Sequence, residues 1–318
     1  MKNSTITFSA PAKLHLLGEH AVVYGKPAIL AAINLRVAVI LNSLSSVIAS
    51  DRRERGNDKI KAIIEPIVKK NFKLKIIPPY NLKISSQFPL GVGLGSSAAI
   101  SSAYIAALLS FLKIKWDLNL INNLSYEAEK VFHSNPSGGD NSTVVYGGLI
   151  WFRKETPDLK IIQLLDFAIS TKLTKNFILI NTGAPKESTG DMVRMISARF
   201  KAKSSKFRKL LDDQETLVKQ LLSVIKDGKE DEFIKIIRAG EKNLETIGVV
   251  SSYVASIIRK IEKIGGAAKI CGGGGKTKAT GILLAYHHNR IKIEEIAKSF
   301  KLPYFCVSLG AKGLTQES

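Results

Sequence analysis

Pro89-Leu90-Gly91-Val92-Gly93-Leu94-Gly95-Ser96-Ser97-Ala98-Ala99 is the stretch on which the reading of this chain turns. Three glycines at alternating positions let the backbone approach a bulky anion, and two hydroxyls follow at once. An apolar helical run then begins, Ala98 to Leu112, with Ile100, Ile105, Leu108, Leu109 and Leu112 among its apolar positions. A glycine loop feeding a helix N-terminus is a ready phosphate site, because unpaired N–H groups and the helix dipole both point at the ligand. The competing reading is a Gly-rich turn with a serine cap.

Spacing excludes two familiar nucleotide motifs. The dinucleotide fingerprint needs a glycine where Ser96 stands. The Walker A pattern needs Lys then Ser or Thr after the last glycine, and this loop has no lysine. Gly275-Lys276-Thr277 ends like a Walker A loop, but Ile270 occupies the position of its required first glycine.

Composition narrows the class. A length of 318 residues suffices for two domains, and 45% hydrophobic residues without a low-complexity tract predict a chain folded throughout. No apolar run approaches the ~20 residues that span a bilayer, and the N-terminus lacks a signal-peptide apolar core. Cys271 and Cys306 alone give no disulfide framework, which fits a reducing cytosol. Nothing places a base beside Cys271, and His287-His288 lacks partners at metal-ligand spacing. The net charge is +20. Basic density peaks at Lys69–Lys75 and Arg199–Lys209, where Phe72, Phe200 and Phe207 imitate the aromatic interleaving of nucleic-acid binders. A lysine-rich solvated surface with Phe on buried helix faces is the preferred account, so no nucleic-acid partner is expected. Such a field also attracts anionic small molecules.

Periodicity predicts strands at Ser4–Ser9, Lys13–Leu17, Arg36–Leu41, Leu82–Ser86, Ser142–Phe152, Lys160–Leu164 and Phe177–Asn181. Helices are predicted at Asp58–Phe72, where Pro66 should kink or end the run, and at Leu118–Phe132. Three or four amphipathic helices fill Asp191–Ile264, with breaks near Ser204, Gly228 and Gly248. Strands at Lys269–Cys271, Thr280–Tyr286 and Tyr304–Ser308, with a helix at Ile291–Phe300, complete an α+β second half. The expected division is 1–165 and 166–318.

Four segments converge in order along the chain. They are Ala10-Pro11-Ala12-Lys13-Leu14-His15-Leu16-Leu17-Gly18-Glu19-His20-Ala21-Val22-Val23-Tyr24-Gly25, the glycine loop, Asn135-Pro136-Ser137-Gly138-Gly139-Asp140-Asn141, and Lys269-Ile270-Cys271-Gly272-Gly273-Gly274-Gly275. Together they resemble the GHMP small-molecule kinase family over nearly the whole chain. Glu19-His20 continues as Ala-Val-Val-Tyr-Gly, whereas galactokinases usually continue as Thr-Asp-Tyr; this form, with the Asp140 turn, is similar to the mevalonate-phosphorylating branch. The resemblance implies an α+β fold with an N-terminal domain like domain 2 of ribosomal protein S5 and a ferredoxin-like C-terminal domain. It implies a cytoplasmic, Mg2+-dependent enzyme that transfers phosphate from ATP to the C5 hydroxyl of mevalonate, with no membrane partner and with a homodimer compatible. Two alternatives stay open: another kinase of the family, such as one acting on phosphomevalonate, or a basic RNA-binding protein with an S5-like half.

Residue roles carry over by position. Read alone, Asp140 is either a carboxylate projecting from a Gly-rich turn into a cleft or an ordinary turn cap. The resemblance makes it the aspartate that takes the hydroxyl proton, and makes Lys13 its partner, neutralising the transferring phosphoryl. Pro89, Gly91, Gly93, Leu94, Gly95, Ser96, Ser97 and Ala98 would cradle ATP. Ser97 and Glu129 would hold Mg2+; Glu127, two residues earlier, points about 200° away around the helix. Glu19, His20, Lys186 and Thr189 would meet mevalonate. Here the chain departs from the family: Lys186 stands where arginine is usual, one residue farther from its threonine, and Lys276-Thr277-Lys278 interrupts the last glycine segment.

Overall fold

β1 (Thr5–Leu17) and β2 (Ala28–Ser43) form a long antiparallel ribbon, in register from Thr5 opposite Asn42 to Leu17 opposite Ile29. The two separate strands expected near the N-terminus are thus one, and Ser4 lies outside the described residues. The computed structural model describes residues 5–43, 55–133, 136–156, 159–199 and 204–317. Register shifts between Pro11 and Ala12, and again between His15 and Leu17, bend the ribbon where Lys13 sits. A 3-10 turn, Ala21–Tyr24, joins the two strands.

α1 (Arg55–Phe72) runs through Pro66 without ending. The proline removes one backbone hydrogen bond, but fully buried Ile64 and Val68 keep that face packed on the core. β3 (Tyr80–Ser86) leads into the glycine loop, and α2 (Ser96–Phe111) follows, with every residue from Ala98 to Leu109 buried. An evenly apolar helix belongs inside, and only its N-terminus is left to meet a ligand. α3 (Leu118–Phe132) packs beside it.

Ser142–Phe152 was expected as strand, yet α4 (Gly139–Tyr146) is helical and β4 (Leu149–Lys154) starts only afterwards, followed by β5 (Lys160–Leu164). Thr143, Val144 and Val145 favour strand locally. Gly138 instead starts a helix at φ 90°, and the hydroxyls of Ser142 and Thr143 donate to the carbonyls of Gly138 and Gly139, each at 2.7 Å. Asp140 therefore occupies a helical first turn.

The second half holds α5 (Thr171–Thr174), β6 (Phe177–Asn181), α6 (Thr189–Arg199), α7 (Ser205–Asp227), α8 (Glu230–Ile247), α9 (Ser252–Lys263), β7 (Ala267–Cys271), β8 (Ile282–Tyr286), α10 (Ile291–Ser299), β9 (Tyr304–Val307) and β10 (Thr315–Glu317). Helices break where the sequence reads them: Ser204 caps α7 through Phe207 N, while Gly228 and Gly248 end α7 and α8 at φ 70° and 86°. The first sheet runs β10-β1-β2-β4-β5, with β3 also on β2; the second runs β7-β8-β6-β9, all antiparallel. The second sheet has the β-α-β-β-α-β order of a ferredoxin-like unit. β10 returns across the 165/166 division to join β1.

Candidate active site

The glycine loop is welded to β1. Lys13 N donates to Leu94 O at 3.0 Å, and a Cβ built on Gly95 would lie 2.7 Å from Lys13 Cγ. Gly91, Gly93 and Gly95 all take positive φ, so the loop folds in a conformation other residues resist. Ser96 Oγ accepts from Gly91 N at 3.3 Å and closes the loop on itself. Ser96 and Ser97 open α2, whose first N–H groups have no partner within the helix and no side-chain cap. Leu94 and Ala98 are buried, so their contribution to any phosphate is through backbone alone.

The loop presents Lys13 to Asp140. Lys13, its side chain 4% exposed, brings its ammonium within 3.0 Å of the carboxylate of Asp140, whose side chain is 34% exposed. Burial nearly strips the lysine of water, so its charge must be met by the protein. His15 Nδ1 accepts from the same ammonium at 3.3 Å. Burial, and then Lys13, pull the His15 imidazole well below its usual value, so it stays neutral and able to accept. Asn141 anchors the turn behind Asp140 by donating to Asn122 Oδ1 at 2.6 Å. Asn135, at the start of this motif, lies outside the described residues.

Glu129 comes in from α3 and is 2% exposed. Its Oε1 atom has no hydrogen-bond partner. Burial and then the Asp140 charge push its carboxyl up to about 7, against the pull of Ser97 and Lys13. Ser97 Oγ also lies 3.3 Å from His133 Nε2, a neighbour the sequence did not suggest. A buried carboxylate with an orphaned oxygen beside a hydroxyl is a donor set suited to a hard cation. Among the described residues no cluster of three His, Cys, Asp or Glu side chains could hold a metal by itself, so remaining ligands must come from elsewhere. Glu127 pairs instead with Lys130 at 2.7 Å on the exposed face of α3.

Across from the loop, β7 and the turn after it close a cleft of about 320 Å³. Gly91, Gly93, Lys186 and Thr189 line it together with Cys271, Gly273, Gly274 and Thr280. Burial lifts the Cys271 thiol to about 11, which leaves it protonated and poorly nucleophilic. Thr189 is held against Gly273, where an added Cβ would sit 2.7 Å from its Oγ1. His20 Nε2 donates to Gly273 O at 3.1 Å, and burial lowers the ring to about 4, so the imidazole is neutral. Neither Glu19 nor His20 is among the residues that line this cleft. The Glu19 carboxylate is buried against Lys269 and lines a smaller apolar pocket with His20, Phe207 and Leu211.

Residues 58–148 match the GHMP kinases N terminal domain family. A mevalonate kinase of Archaeoglobus fulgidus is 31% identical over 269 residues, covering 84% of this chain and 88% of that one. The chain belongs to the GHMP kinase family, in its mevalonate kinase branch. A second relative of this GHMP kinase, the mevalonate kinase of Pyrococcus abyssi, is 28% identical over 300 residues and covers 84% and 85% of the two chains. The crystal structure of L. major mevalonate kinase in complex with R-mevalonate superposes with TM-score 0.81 at 21% identity, covering 98% of each chain. The two-domain α+β architecture of GHMP kinases is therefore that of this chain.

This GHMP kinase carries two buried charged residues to which the motifs gave no role, although Lys269 opens the last glycine segment. Lys269 and Glu241 are both fully buried. A charged residue inside an otherwise apolar strand or helix face was the available signal. Within the described residues, no helix is long and apolar enough to cross a membrane.

Proposed function

We propose that the chain transfers the γ-phosphoryl group of ATP to the C5 hydroxyl of mevalonate, giving 5-phosphomevalonate and ADP. The observation that carries this reading is the Lys13–Asp140 pair, 3.0 Å apart and fixed against the phosphate loop. Phosphoryl transfer depends mainly on positioning and electrostatics, and this pair offers both at one point. Lys13 donates to Asp140 Oδ1 and leaves the other carboxylate oxygen to take the proton of the attacking hydroxyl. The Lys13 ammonium then faces the charge that develops on the transferring group. Gly91–Gly95 and the N-terminus of α2 cradle the phosphates.

Ser97 and Glu129 would hold Mg2+, whose charge offsets that of the phosphates. On the acceptor side, His20 uses its Nε2 proton on Gly273, so Nδ1 remains an acceptor for a substrate hydroxyl. Lys186 supplies the cation for the mevalonate carboxylate and Thr189 a second polar contact. The +20 surface draws both anionic substrates toward the cleft. We place the enzyme in the cytosol, with Cys271 and Cys306 as free thiols.

An ADP-release assay over mevalonate, phosphomevalonate, galactose and homoserine tests the reading. Mevalonate should be preferred clearly. Faster turnover of another acceptor would reassign the substrate, and no acceleration by any of the four would remove the kinase reading.

A further inference from the structure

We propose that Lys269 is a positioning residue, which from inside the second sheet holds the Glu19–His20 corner and thereby the acceptor side of the site. The inference rests on the functional reading above for what that corner binds. Lys269 stands in the middle of β7 with no exposure at all. A lysine in that place is costly unless every proton is matched. All three are: the ammonium meets the Glu19 carboxylate, Ile270 O at 2.7 Å and His15 O at 3.2 Å.

Two of these partners lie on or just after β1, in the other sheet. The contact therefore crosses from the second sheet to the first, one residue removed from the reacting pair through His15. His15, whose carbonyl Lys269 takes, presents its ring to Lys13 Nζ. The residue after Glu19 is His20, held at φ 59°, a left-handed conformation that a bulky residue adopts only under constraint. Its ring returns to Gly273, four residues beyond Lys269. Two bonds thus join the same pair of segments, Lys269 to Glu19 and His20 to Gly273, and together they fix the corner.

A rival carboxylate is present but does not compete. Glu241 of α8 accepts from Ile270 N at 3.0 Å through Oε2, and its Oε1 is unpartnered. Burial raises the Glu241 carboxyl well above the usual range, which weakens it as a rival for the lysine's charge. Burial alone would lower the Lys269 ammonium, but the Glu19 carboxylate set against it more than offsets that. The lysine is charged, and its charge belongs to Glu19.

A merely structural pair and a positioning pair differ in what they do to the two substrates. The test is a double-mutant cycle on the full chain, Lys269→Met, Glu19→Gln and both together, with kcat, KM for mevalonate and KM for ATP measured separately. Each single change should raise KM for mevalonate about tenfold and leave KM for ATP within about twofold. The double variant should lose no more than either single, because Lys269 acts through Glu19. A wild-type mevalonate KM in Lys269→Met, proportionate losses for both substrates, or additive losses in the double variant would overturn the proposal. If Lys269→Met fails to fold with Glu19 left buried and unpaired, the double variant, which removes both charges, is compared with Glu19→Gln. Equal mevalonate KM then supports positioning and a further rise overturns it. A wild-type chain that uses no mevalonate sinks the functional reading instead. The positioning role is then read from the His20 ring by 13C-histidine NMR in wild type and the double variant: a displaced resonance supports it and an unmoved one overturns it.

Discussion

Lys13 Nζ and Asp140 Oδ1 meet at 3.0 Å, one from a bulged strand of the first sheet and the other from the first turn of α4. Both groups are delivered by rigid elements, so their separation does not depend on a mobile loop. If Asp140 takes the acceptor proton, Asp140→Asn should lower kcat by about 10²-fold or more, the usual worth of a positioned acid or base. ATP affinity, measured by equilibrium binding of a fluorescent nucleotide, should hold, since the carboxylate faces the acceptor. Near-normal turnover in this variant would remove Asp140 from the chemistry.

Glu129 sets a pH dependence. Its carboxyl sits at about 7 in the folded chain against 4.5 for an ordinary glutamate, so the folded state holds a proton that the unfolded state releases. The sign follows: without metal, this group costs stability progressively as pH rises from 4.5 toward 7. A cation must displace that proton, so the Mg2+ concentration for half-maximal activity should rise about tenfold per pH unit below neutrality. Glu129→Gln and Ser97→Ala should each raise the Mg2+ requirement. Glu127→Gln, on a side chain already paired with Lys130, should titrate like wild type. A reversed ranking of the two glutamates would mean the wrong face of α3 has been assigned.

The glycine loop, the helix behind it and the α+β second half were legible because periodicity and glycine placement carry them locally, while the ferredoxin-like form of that half came from the family resemblance. The sequence marks Asp140 as a candidate site residue but does not announce its helical setting. Thr143, Val144 and Val145 favour strand on propensity, and only hydroxyl-to-carbonyl bonds from Ser142 and Thr143 reveal the helix. Glu19 was read as an acceptor contact. The structure turns it to Lys269, a residue 250 positions away, and no local pattern announces such a pairing. β10 was missed for a similar reason, since three residues pair with β1 from the far end of the chain.

Gly95 offers a steric test of how Lys13 is held. An alanine there would place its Cβ 2.7 Å from Lys13 Cγ and 3.0 Å from Cε, at φ 70°. Gly310 has a similar φ of 81° with nothing within 4 Å. Both substitutions should therefore cost about 1–2 kcal/mol of backbone strain, read as a drop in Tm. Gly95→Ala alone should also lower kcat, by about tenfold, as the displaced ammonium leaves Asp140. Equal kcat in the two variants would mean that the loop does not position the lysine.

Substrate identity turns on Lys186 and Thr189, which line the same 320 Å³ cleft as Gly91 and Gly93. Mevalonate carries one carboxylate remote from its reacting hydroxyl, so one cationic anchor suffices. Phosphomevalonate needs a further pocket for a dianion, and galactose needs no anchor. Lys186 is exposed and works as a point charge, without the two-pronged fork of arginine. Lys186→Ala should then raise KM for mevalonate more than KM for ATP, with kcat little changed, because the lost contact is made equally in ground and transition states. Lys186→Arg should keep most of the affinity. Lys186→Ala should also weaken the salt dependence of KM for mevalonate, since it deletes an exposed charge that screening acts on. A Lys186→Ala enzyme with wild-type KM for mevalonate would move the carboxylate anchor to another residue and leave phosphoryl transfer itself in place.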